Sequence, residues 1–70
     1  MRITYDSQVD ALYIMFKETK VTTKHIGEGI AADYDSEGRL AEIEILDALK
    51  RLGDKSVFKK IVLEKITLGI

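Results

Sequence analysis

The sequence predicts an α+β fold, an antiparallel β-sheet meander of about five strands over residues 1–46 followed by a C-terminal helical segment over residues 47–66. Three observations predict it. Short β-favouring runs are punctuated by turn-forming residues. In residues 40–46, Ala41, Ile43 and Ile45 alternate with Glu42 and Glu44, the pattern of a sheet with one face in water. After Asp47 the apolar spacing lengthens from that of a strand to that of a helix.

Taken in order, residues 2–5 and 11–16 form two strands around the turn residues Asp6, Ser7 and Gln8. Residues 17–20 are a polar break, and the β-branched stretch 21–26 makes a third strand ending at Gly27 and Gly29. Residues 30–34 and 40–46 flank Asp35-Ser36-Glu37-Gly38, the sharpest hairpin signal in the chain, because Gly38 can take the positive φ that such a loop needs. Asp47 is placed to cap a short helix over 48–52 that Gly53 ends. Asp54 and Ser56 can cap a second helix over 57–66, while the β-branched residues dense in 61–67 keep a last edge strand open as the alternative.

No repeat or proline-rich linker divides the 70 residues, so residues 1–70 are expected to form a single domain. A chain this short buries only about 60% of its unfolded surface, which makes self-association a natural expectation. Cysteine is absent, excluding disulfides, thiolate metal sites and a cysteine nucleophile, and suiting a reducing, cytoplasmic setting. Apolar runs are short, so neither secretion nor membrane spanning is expected. Charge is split along the chain: residues 1–47 carry five basic and ten acidic side chains, a net of −5, and residues 48–70 carry six and two, a net of +4. That split suits solvated faces, and equally an acidic sheet covered by a basic C-terminal segment within or between copies. Only Lys50, Arg51, Lys55, Lys59, Lys60 and Lys65 could form a basic patch, and nucleic-acid binding is not expected.

Few side chains offer chemistry. Residues 33–44 place oxygen ligands at positions 1, 3, 5 and 12 and glycine at 6 of a twelve-residue calcium loop, nominating Asp33, Asp35, Glu37 and Glu44 for a hard cation. The flanking alternation is that of strands rather than the helices such a loop requires, so a plain hairpin is the simpler reading. A wider set, Asp6, Asp10, Asp33, Asp35, Glu42 and Glu44, offers carboxylates for a metal or for acid and base work, but Asp6 and Asp10 suit turn amides and Glu42 and Glu44 suit the wet face. His25 is alone, and Ser7, Ser36 and Ser56 sit at turns or helix starts with no nucleophile elbow. No catalytic residue and no cofactor is therefore predicted. Tyr13 and Tyr34 would make an interface anchor if exposed on neighbouring strands, and Lys59 and Lys60 are further binding-surface candidates.

The blocks Ile3-Thr4-Tyr5-Asp6, Asp10-Ala11-Leu12-Tyr13-Ile14, Asp33-Tyr34-Asp35 to Gly38-Arg39-Leu40, and Glu42-Ile43-Glu44-Ile45-Leu46-Asp47-Ala48 together resemble the YuzE-like family of small uncharacterised proteins, a domain-of-unknown-function family (DUF2283). The resemblance covers roughly residues 1–52. It implies a small α+β fold on an antiparallel sheet and an antitoxin-like role, and it supplies no catalytic residue. The chain departs from the family at Ser7, where proline is common, and at Gln8-Val9, where Glu-Ala often precedes the aspartate. The expected function is a noncatalytic protein-binding or self-associating module, expected to be a homo-oligomer; the alternative is a divalent-metal-binding protein or metal-dependent enzyme using the carboxylates between Asp33 and Glu44.

Overall fold

In the computed structural model, which describes residues 1–64 and 66–69, five strands form one antiparallel sheet: β1 (Arg2–Asp6), β2 (Ala11–Met15), β3 (Thr22–Gly27), β4 (Ile30–Tyr34) and β5 (Leu40–Leu46). A short helix α1 (Ala48–Leu52) and a 3-10 turn (Lys55–Phe58) follow. Among the described residues no helix is long and apolar enough to cross a membrane.

The strand order is β1-β2-β5-β4-β3, so β5 enters between β2 and β4 instead of lying at the edge. Composition explains the exchange. A central strand must offer an apolar side, and β5 brings Ile43 and Ile45, whereas every residue of β3, including Lys24 and His25, is exposed as befits an edge. The link from β2 to β3 crosses the end of the sheet and is held there. Phe16 and Lys17 both donate their backbone N–H to the Ala41 carbonyl, at 2.8 and 3.3 Å, and the Lys17 ammonium pairs with Asp35.

The β4–β5 hairpin is built as its residues require. Asp35 Oδ1 accepts from the backbone N–H of Glu37 and Arg39, at 2.9 and 2.8 Å, and Gly38 sits at φ 80°. With Lys17 foremost and these amides behind it, the Asp35 carboxyl is lowered to about 2. The core is made of small side chains: Ala11, Ala31, Ala32, Ala41 and Ala48 are buried, with Leu12 the one large apolar residue beside them.

Two details of the C-terminal part differ from expectation. Asp47 does not cap α1, being itself left-handed at φ 52° with no side-chain bond. The acceptor comes instead from 39 residues earlier: Asp10 Oδ1 takes the Leu49 N–H at 2.8 Å and the Asp10 carbonyl takes the Ala48 N–H at 3.0 Å. Gly53 does end α1, with φ 84° and its N–H on the Leu49 carbonyl. Asp54 does cap, accepting from Ser56 N, but it opens a single 3-10 turn instead of a helix over 57–66. Phe58 stacks on Tyr5 with ring centroids 4.4 Å apart, which fixes this turn against β1. Beyond it the described residues of 59–69 form neither helix nor paired strand, and the Lys65 part of the expected segment lies outside the described residues.

A candidate carboxylate centre on the open sheet face

Strand register decides which side chains share a face. Asp33 of β4 stands opposite Glu42 of β5 and opposite Thr23 of β3, while Glu44 stands opposite Ala31 and opposite Tyr13 of β2. Because side chains alternate along each strand, Asp33, Glu42 and Glu44 project from one face, with Thr23, Tyr13 and Met15 around them. Ile3, Ile14, Ile43 and Ile45 occupy the other face, toward which Leu52, Val57 and Phe58 pack at the β1–β2 end.

A bulge brings this trio together. Tyr34 pairs with Leu40, yet Asp33 pairs with Glu42, so β5 carries one extra residue at Ala41. Without it, Asp33 would stand opposite Ala41, out of step with both glutamates. The Ala41 carbonyl that receives two N–H groups from the β2–β3 link holds the bulge in place.

The carboxylate oxygens of Asp33, Glu42 and Glu44 lie within 4.8 Å of one another. Asp33 is only 1% exposed, and Glu42 and Glu44 are half-buried, so this face is less wet than the alternation alone suggests. Asp33 Oδ1 accepts from the Thr23 hydroxyl, while Oδ2 is buried with no donor among the described residues other than a proton carried by a neighbouring glutamate. Like charges this close cannot all ionise freely. For Glu44, sharing a proton with Asp33 is the main cause, ahead of burial and the neighbouring negative charges, and its pKa is pushed up to about 7. Glu42 is raised chiefly by burial and then by Asp33. Burial is the largest influence on Asp33 and acts upward, but bonding from Glu44, Thr23 and Glu42 outweighs it and holds Asp33 below its ordinary value.

The sign of the pH dependence follows. A carboxyl whose pKa is higher folded than unfolded contributes stability that is complete below its unfolded value and disappears as pH rises through its folded value. In cation-free buffer the unfolding midpoint is expected to fall between pH 5.5 and 8, and Glu44→Gln is expected to flatten that fall. A midpoint that stays level or rises in wild type would contradict the trio's geometry.

The other nominated residues separate. Asp35 serves the hairpin and pairs with Lys17, and exposed Glu37 pairs with Arg39, so the calcium-loop set is divided between the loop and the trio. Asp6 accepts from Gln8 N at 2.9 Å and Asp10 from Tyr5 and Leu49, as turn and cap acceptors. Tyr13 lies beside Glu44, but Tyr34 is two strands away on the other face with the Lys24 ammonium 5.7 Å from its ring centre, so they form no common anchor. His25 is on the exposed edge strand, and Lys59 and Lys60 are exposed beyond the 3-10 turn.

A family model described as a protein of unknown function (DUF2283) matches residues 2–48, a stretch that holds the whole sheet, the trio and Asp10. No curated protein and no solved structure matches the chain.

Proposed function

We propose that this chain, which belongs to the DUF2283 family of proteins of unknown function, binds a hard divalent cation, calcium foremost, on its open sheet face through Asp33, Glu42 and Glu44. The observation that carries this reading is Asp33 Oδ2, a carboxylate oxygen buried among two further carboxylates with no donor among the described residues except the proton it shares with them. Once that proton is lost the buried acceptor is left unsatisfied, which is costly, and a cation supplies what the fold then does not. All-oxygen, all-carboxylate ligands suit hard cations such as calcium, magnesium or manganese. Coordination flexibility favours calcium. Magnesium demands near-ideal octahedral geometry and dehydrates reluctantly, whereas calcium accepts an irregular shell of carboxylates and water. Water on the open side would complete the shell, and three protein ligands correspond to an affinity of roughly 10⁻⁴–10⁻³ M.

The test is a thermal titration. Calcium at ten times its dissociation constant is expected to raise the unfolding midpoint by roughly 5–10 °C, with magnesium doing less at equal concentration. No shift with calcium, magnesium or manganese at 10 mM would remove the reading.

A second reading, self-association with a cytoplasmic protein-binding role, is favoured by a different observation. The chain exposes 5859 Å², whereas a compact monomer of 7.9 kDa exposes roughly 4,400 Å². The cysteine-free composition supports the cytoplasmic part of it.

A further inference from the structure

The surplus surface has an address. The described residues after the 3-10 turn form neither helix nor paired strand, and Ile61, Val62, Leu63, Ile66 and Leu68 among them are more than half exposed. The radius of gyration is 13.5 Å, against about 11 Å for a compact chain of this length. Across the apolar sheet face runs a groove of about 280 Å³ between Ile3, Leu12 and Ile14 on one side and Leu52, Val57 and Ile61 on the other. It opens beside β1, an edge strand whose outer N–H and C=O groups have no ladder partner among the described residues. Here are an apolar segment without regular structure, an apolar groove and a strand edge in one small chain.

Resting on the self-association reading, we infer that two copies of this chain exchange their C-terminal segments, the part of each that follows Ile61 lying along the groove and the β1 edge of the other. The areas agree with a closed pair. The surplus per chain is roughly 1,400 Å², and a stable dimer needs about 800 Å² from each partner. A reciprocal exchange satisfies both copies at once and leaves no open end, as a two-fold interface must. The carboxylate trio is on the opposite face, so the exchange leaves it free.

Complementation in the full chain tests this. A tail variant, Leu63→Glu with Ile66→Glu, and a groove variant, Ile3→Glu, each change side chains that are exposed within one copy. Sedimentation at 1–200 μM is expected to show a wild-type dimer, two monomeric variants with wild-type circular dichroism, and a heterodimer on mixing them, since the mixture restores one of the two contacts. Should Ile3→Glu fail to fold, Val57→Glu on the facing wall takes its place. A tail variant that still dimerises would overturn the exchange while leaving self-association by another surface. A wild-type monomer at every concentration would overturn both. Variants that do not associate on mixing, or an assembly that keeps growing with concentration, would overturn the exchange.

Discussion

Replacing Asp10 by alanine is expected to lower the unfolding midpoint by roughly 10 °C or more, because three effects fall on one residue. Its carboxylate accepts the Leu49 N–H at the start of α1 and the Tyr5 hydroxyl, both at 2.8 Å. Alanine leaves both donors without a partner. Its backbone is left-handed at φ 52°, a conformation that aspartate and asparagine tolerate and alanine does not. The two hydrogen bonds, that with Leu49 foremost, also hold the Asp10 carboxyl below its ordinary value, so its contribution is present at neutral pH and lost in acid. Asp10→Asn keeps an acceptor and the backbone preference and is expected to lose less than half as much. Thermal unfolding of the three proteins at pH 7 checks the order. Equal losses for asparagine and alanine would show that the negative charge, and not the cap and turn geometry, is what matters.

Asp33 is expected to behave in the opposite way. In cation-free buffer Asp33→Asn should raise the midpoint by roughly 5 °C, since it removes one of three crowded negative charges and turns an amide toward the glutamates. The Thr23 hydroxyl keeps an acceptor on the new side chain. Asp33→Ala should instead lower the midpoint, because it strands that hydroxyl and leaves a void under a face where the original side chain is 1% exposed. An asparagine that stabilises marks a residue kept for a ligand at a cost to the fold. A destabilising asparagine would assign the carboxylate a purely structural role.

The strands and the hairpin were legible because local chemistry and burial agree there: alternation in residues 40–46 sets the face of β5, and Asp35 with Gly38 sets the loop. The position of β5 at the sheet centre was not, since it depends on weighing β3 against β5 as an edge, a comparison between strands rather than a pattern within one. Asp47 was a sound cap by position, but Asp10 reaches the same amides from the β1–β2 turn, and a sequence shows no contact across 39 residues. The tail's β-branched residues suit a strand, and its helical spacing suits a helix; within one copy only its start, at Val57 and Ile61, lies against the sheet, and Val62, Leu63, Ile66 and Leu68 stay exposed.

The carboxylate centre was half legible. Calcium-loop spacing singled out Asp33 and Glu44 for a cation, but it joined them to Asp35 and Glu37, which the hairpin uses. Glu42 was set aside as a wet-face residue. Counting back from the hairpin loop without a bulge pairs Asp33 with Ala41, which separates it from both glutamates. One extra residue in β5 reverses that outcome, and no feature near Ala41 in the sequence announces it.

Calorimetric titration of calcium into wild type, Asp33→Asn and Asp35→Asn tests the central claim most directly, because it separates the sheet-face trio from the hairpin loop. The expected result is one ion per chain in wild type, the same stoichiometry in Asp35→Asn with affinity within a few-fold, and no measurable binding in Asp33→Asn. Loss of binding in Asp35→Asn with retention in Asp33→Asn would place the ion in the loop, and absence of binding in wild type would contradict the claim outright.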